Sequence, residues 1–313
     1  MVKPMVEHRE AVVFPNRDGL KLFGILHRPV DVPEREVGVI FLSPGVKSRV
    51  APHRLYVKMT ESLLRQGYPV LRFDFFGLGD SEGELPEKEL VDLYAAVQDG
   101  RYIDDALCAM DWMEERLGLK QFVLAGLCGG ALTGLFAAAK DFRARGVLGL
   151  GLPVALDGRT DDASKFMTRG QLEKVGGAYL RKLFNPGAWW RFLSFRTDYR
   201  MLWRSIRSRI VRSPSTPDGG KATEASTNLN PLLPPAFHKF LADGGKLLLV
   251  FSGGDRLAWE FEEKFATPSE DKLKRLGDGY EVHTIPNANH ILSDPAWRSE
   301  MQAISDAWMA RYF

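Results

Sequence analysis

The chain switches repeatedly between short apolar runs and stretches with helical spacing. Residues 10–14 and 20–26 flank the turn formers Asn16, Arg17, Asp18 and Gly19. That pattern predicts a hairpin, ended by Pro29 and Pro33. Residues 38–42, 68–73, 122–125, 146–154, 246–252 and 280–285 are apolar runs of the length and type of buried strands. Helical spacing lies between them. Leu55, Met59, Leu63 and Leu64 mark a helix over 53–66 that stops at Gly67. Ile103, Leu107, Met110 and Met113 share one face over 102–117. Small and apolar residues over 131–139 predict another helix, with more over about 257–276 and 294–312. Strands alternating with helices predict a mostly parallel sheet covered on both faces, an α/β fold. No internal repeat is present.

The rhythm breaks near residue 155 and resumes near 240. From Lys165 to Arg212 twelve Lys and Arg residues face only two acids, Glu173 and Asp198, among nine aromatic side chains. Residues 213–235 are rich in Ser, Thr, Pro and Gly, the composition of a linker. The expected organisation is a core in two parts, 1–154 and 241–313. A mostly helical cap over 155–240 interrupts it, with the linker at 213–235.

Composition narrows the class. The 313 residues carry a net charge of +2, too little for a nucleic-acid binder by charge alone. Two cysteines, Cys108 and Cys128, exclude a disulfide framework and point to a reducing compartment. The first ten residues lack the apolar core of a signal peptide, and no apolar run approaches the ~18 residues of a membrane span. A soluble cytoplasmic protein is expected, its oligomeric state unreadable.

The densest chemistry lies where the apolar run 122–125 meets the helix at 131. Gly126-Leu127-Cys128-Gly129-Gly130 forms G-x-C-x-G, a strand–turn–helix nucleophile elbow with Cys in place of Ser. The nucleophile of such an elbow sits at strained φ/ψ, and glycines two residues away let strand and helix approach. The helix start adds free N–H groups and a positive dipole end beside the sulfur, which favours thiolate and oxyanion alike. A thiol nucleophile needs a base, and the base an orienting acid. Asp255 follows the run 246–252 through Gly253-Gly254, and His290 follows 280–285, so both fall at the sheet edge that carries Cys128. A resting thiolate–imidazolium pair is the expected state. The amide of Gly129 and that of Val46, one residue after Gly45, are the expected oxyanion donors.

Plainer roles are assigned elsewhere. Cys108 is an amphipathic-helix residue, and His53 and His283 are structural. Asp294 caps the last helix before Pro295. Asp74 and Asp80 bind local backbone amides in a Gly-rich loop. Arg200, Arg204 and Arg207 share a helical face of the cap. A solvated helical face is the plainer reading; with Trp203, Arg200 and Arg204 are candidates for recognising an anionic partner, a phosphopantetheine or CoA group, an acidic carrier protein or an anionic membrane surface.

Outside the insertion the chain resembles an α/β-hydrolase. Residues 73–83, FDFFGLGDSEG, resemble that family's strand-4 loop, and Ser43-Pro44-Gly45 stands where the family often has His-Gly. More narrowly, Arg49-Val50-Ala51-Pro52-His53-Arg54 with 67–74 is similar to hydrolases associated with bacterial exosortase systems, which tend to have Cys in the elbow. The resemblance implies the α/β-hydrolase fold and a Cys128–His290–Asp255 triad with no cofactor and no metal. The expected activity is cleavage of an ester or thioester of a small acyl substrate through an acyl-enzyme. Acyl transfer or cyclisation on the same triad and a non-catalytic binding protein remain open.

Overall fold

The computed structural model describes residues 7–156 and 228–313. Most of the expected cap therefore lies outside the described residues, with Arg200, Trp203 and Arg204 and the linker up to 227.

The N-terminal hairpin forms as expected. β1 (Glu7–Pro15) and β2 (Lys21–Pro29) pair antiparallel. The Asn16 side chain closes the turn by accepting from the N–H groups of Asp18 and Leu20, both at 3.0 Å. The apolar runs become β3 (Val37–Leu42), β4 (Val70–Phe73), β5 (Gln121–Leu127), β6 (Ala144–Leu150), β7 (Lys246–Ser252) and β8 (Tyr280–Ile285). Together they make one eight-stranded sheet in the order β1-β2-β4-β3-β5-β6-β7-β8. β4 pairs antiparallel with β2; every pairing from β4 through β8 is parallel.

The helices are α1 (Leu55–Arg65), α2 (Leu90–Gln98), α3 (Ile103–Leu117), α4 (Gly129–Ala138), α5 (Leu233–Ala242), α6 (Arg256–Phe261), α7 (Glu270–Arg275) and α8 (Pro295–Tyr312). Successive strand residues feed opposite layers, as the two-residue side-chain period requires. Ile40 and Leu42 pack with α3 and α4 through Met110, Leu132 and Leu135. Val39 and Phe41 pack with α1 and α8 through Tyr56, Met59 and Trp308. Runs buried on both faces explain why β3, β5 and β7 read as continuous apolar stretches rather than as alternation.

The chain leaves β3 for β4 on one side and returns to β5 on the other. The loops after β3 and β5 therefore diverge across a topological switch point, where ligands bind in parallel sheets. Two segments differ from the sequence reading. Residues 233–240, assigned there to the insertion, lie in α5, whose Leu233, Phe237 and Phe240 are buried in the main core. α2 was not anticipated; Leu93 and Val97 pin it inward, each fully buried apolar side chain contributing roughly 1.5–3 kcal/mol. Among the described residues no helix is long and apolar enough to cross a membrane.

Candidate active site

Cys128 sits between β5 and α4 with φ 55° and ψ −117°, backbone that a side chain rarely adopts. Its N–H donates to the Leu150 carbonyl of β6 at 2.8 Å, and its carbonyl accepts from Leu132 at 3.2 Å, so the strained turn is held from both sides. The flanking glycines are steric requirements. A Cβ on Gly126 would lie 2.3 Å from the carbonyl carbon of Gly130, and one on Gly130 would lie 2.5 Å from the carbonyl oxygen of Leu42.

The acid and the base converge on this turn from the ends of β7 and β8. The Gly253 N–H donates to the Ile285 carbonyl at 2.9 Å and the Gly254 N–H to the Ala288 carbonyl at 2.8 Å. The Ser252 hydroxyl donates to the Asn289 carbonyl at 2.9 Å. A Cβ on Gly254 would strike the Ala288 oxygen at 2.4 Å, so the diglycine lets the two loops zip together. As a result Asp255 Oδ2 lies 2.5 Å from His290 Nδ1. Cys128 is the second influence on the ring: its thiol, after Asp255, raises the His290 pKa.

This contact chain sets the charges. Hydrogen bonds to Asp255 and to Cys128 outweigh burial and raise the His290 pKa to about 10, so the ring carries its proton at neutral pH. Burial works against the charge on Asp255, yet the His290 contact and the N–H groups of Arg256 and Leu257 prevail and hold its carboxyl below the usual range.

The expected oxyanion elements also meet. A Cβ on Gly129 would lie 3.0 Å from Gly45 Cα, so the loop after β3 abuts the start of α4. Gly45, at φ 63°, opens the turn that Lys47 N–H closes onto the Pro44 carbonyl at 3.3 Å. Among the described residues neither the Val46 nor the Gly129 N–H has an acceptor. Further along the loop the Arg49 N–H donates to Asp74 Oδ1 at 2.6 Å, its guanidinium pairs with the same buried carboxylate, and it also reaches Asp80 Oδ2 at 2.8 Å. Asp74 Oδ2 also accepts from the Asp80 N–H at 3.2 Å, so Asp74 serves the local backbone as expected and anchors the oxyanion loop as well, whereas Asp80, expected to do the same, pairs with Arg49 instead. Asp294 accepts from the Ala296 N–H at 2.7 Å and caps α8. His53 lies in the turn before α1, and His283 stands exposed on β8 near Glu281. Among the described residues no group of three or more His, Cys, Asp or Glu side chains could hold a metal ion.

A cavity of about 420 Å³ opens over Cys128, Gly129, Asp255 and His290. α2 supplies part of its wall through Val91, Tyr94, Val97 and Gln98, and Pro153, Arg256 and Leu257 line it as well.

Residues 39–306 match the sequence model of the Alpha/beta hydrolase family. The chain belongs to that family. Solved structures agree on the fold. An esterase of Pyrococcus furiosus is 17% identical, covers 97% of this chain and 93% of its own, and superposes with a TM-score of 0.58. A dienelactone hydrolase of Anabaena variabilis is 17% identical, with 98% and 99% covered and a TM-score of 0.54. Est1E of Butyrivibrio proteoclasticus, solved with ferulic acid bound, is 16% identical, with 96% and 99% covered and a TM-score of 0.55. No curated protein matches the chain in sequence.

In this α/β-hydrolase the sequence reading missed two parts of the site. One is α2, whose Leu90, Val91, Leu93, Tyr94 and Val97 have helical spacing that was available to be read. The other is Tyr56. Its hydroxyl, fully buried, donates to the Leu42 carbonyl at 2.9 Å and accepts from the Leu127 N–H at 2.6 Å. It thereby ties the last residue of β3 to the last residue of β5, just before the oxyanion loop and the elbow. Nothing in spacing marks a tyrosine for this bracket. Tyr56→Phe strands both backbone groups, and urea unfolding is expected to register a loss of about 1–3 kcal/mol. A midpoint equal to wild type would show that the bracket carries no stability.

Proposed function

We propose that the protein is a hydrolase of ester or thioester bonds working through a Cys128–His290–Asp255 triad. What supports this reading above all is the Asp255–His290 hydrogen bond in a cavity that Cys128, Asp255 and His290 line together. The Cys128 thiolate attacks the acyl carbon and forms a C–S bond. The carbonyl oxygen takes the negative charge against the N–H groups of Gly129 and Val46. The tetrahedral adduct collapses as the bond to the leaving alcohol or thiol breaks, and His290 gives that group its proton. Water then attacks the thioester and loses a proton to His290. The acid leaves and the thiolate returns. Asp255 orients the imidazolium and balances its charge.

The Cys elbow and residues 49–54 and 67–74 carry the narrower likeness to exosortase-associated hydrolases within the same proposal. Two unpaired cysteines fit a reducing, cytoplasmic setting. The basic composition of 165–212 suits an acyl group delivered on CoA or an acidic carrier protein to the inserted segment.

The test is intact mass together with turnover, using short p-nitrophenyl esters, a small acyl-thioester and the matched CoA thioester. The expected result is an acyl adduct on Cys128 that decays to free acid, with kcat/KM higher for the CoA thioester than for the small one. An adduct that persists until an amine or alcohol is added makes the protein an acyltransferase. No adduct and no turnover with any substrate makes it a binding protein and removes the enzymatic reading.

A further inference from the structure

Helix α2 presents an unusual face. Leu93 and Val97 fix it to the core, yet Leu90, Val91 and Tyr94 are 65%, 40% and 37% exposed. Of these, Leu90 and Val91 are large apolar side chains exposed on a well-packed helix, the kind of surface that takes an occupant. Here that surface is continuous with the cavity over Cys128, which Val91, Tyr94 and Val97 line together with Pro153 and Leu257. Apart from Cys128, Asp255 and His290, the polar members of the lining are Gln98 and Arg256, and Gln98 is already committed through its Nε2 to the Ala155 carbonyl at 2.7 Å. A site of this make-up takes an apolar group and orients it with few polar contacts.

The same helix touches both oxyanion elements. Tyr94 Cε1 lies 3.3 Å from where a Cβ of Gly45 would stand, and Val97 Cγ1 lies 2.9 Å from where a Cβ of Gly129 would stand. Each glycine neighbours or carries one of the two free N–H groups. Side chains that line the acyl cavity therefore also bear on the separation of those donors. Small displacements there are costly, since misplacing reacting groups by about 1 Å can lower a rate roughly 10²-fold.

We propose that the substrate is the ester or thioester of an apolar acyl chain lying along α2, and that Tyr94 and Val97 transmit its presence to Gly45 and Gly129. Acyl-chain preference is then expressed in kcat and not in KM alone. Tyr94 and Val97 are positioning residues; Val91 is a wall residue on the same helix, without a place among the nearest neighbours of either glycine. The proposal rests on Cys128 as the nucleophile.

The experiment is a chain-length series of p-nitrophenyl acetate, butyrate, octanoate and palmitate, with kcat and KM separated for wild type, Tyr94→Ala, Tyr94→Phe and Val91→Ala. Wild-type kcat/KM is expected to rise roughly tenfold or more from acetate to butyrate, the worth of added methylenes in an apolar pocket. Tyr94→Ala is expected to lower kcat on octanoate by roughly tenfold or more. Tyr94→Phe, which keeps the ring over Gly45, restores it. Val91→Ala raises KM more than it lowers kcat. A flat series in a protein that still forms the Cys128 adduct overturns the acyl wall and leaves the triad standing. A Tyr94→Ala defect confined to KM overturns the coupling. Absence of any adduct or turnover removes the triad reading, and this proposal with it.

Discussion

Cys128→Ala is expected to lower kcat/KM on a p-nitrophenyl ester by on the order of 10⁴-fold or more, the scale on which removal of a nucleophile acts. No acyl adduct should appear by mass. The protein should stay folded, because the sulfur is only half-buried at the cavity floor and the elbow is held by backbone bonds to Leu150 and Leu132. Cys128→Gly carries the argument further. At φ 55° and ψ −117° a Cβ stores strain of about 1–3 kcal/mol that glycine does not. The glycine variant is therefore expected to be as inactive as the alanine variant yet more stable than it by about that amount, offset in part by roughly 0.5–1 kcal/mol of extra chain entropy. Urea midpoints of the three proteins check this. Wild-type turnover in Cys128→Ala would move the nucleophile elsewhere. A glycine variant no more stable than the alanine variant would mean that the elbow is not strained.

The strain at Cys128 also explains how much of the site was legible. Chemistry at a tight turn demands a particular set of neighbours, and Gly126, Gly130 and the diglycine before Asp255 are written in the sequence because a Cβ at those places meets backbone. Strand runs were legible for a similar reason: β3, β5 and β7 are buried on both faces and admit little but apolar residues. Tyr56 was not legible, since its role depends on two strand ends meeting over one side chain, and local spacing carries no information about that. α2 had helical spacing but followed a Gly-rich loop and lacks a side-chain cap at Glu89, so no start signal announced it. α5 was hidden differently. Its Pro234 and Pro235 continue the composition of the linker before it, while in the fold they begin a helix, where proline is tolerated.

Asp255→Asn tests the other end of the triad through pH. His290 holds its proton up to about 10, first because of Asp255 and second because of Cys128, while burial pulls the other way. The alkaline limb of kcat/KM in the wild-type enzyme is therefore expected near pH 10. Replacing the carboxylate removes the largest cause of the rise, so the limb moves down toward the ordinary 6.5, with the Cys128 contact retaining part of the shift. The rate falls as well, by roughly 10²–10⁴-fold, because an amide can stabilise the wrong tautomer and gives the imidazolium no counter-charge. Stability follows the same linkage with a definite sign. A pKa raised on folding gives His290 a stabilising contribution that is complete below 6.5 and fades as pH rises through about 10. Asp255, lowered from 3.8, contributes above that value and loses its contribution as pH falls below it. Between 6.5 and about 10 the wild-type urea midpoint is expected to fall, and the Asp255→Asn midpoint to fall less. An alkaline limb that stays in place in Asp255→Asn would mean that His290 draws its proton affinity from the sulfur alone, and Asp255 would lose its role as the orienting acid.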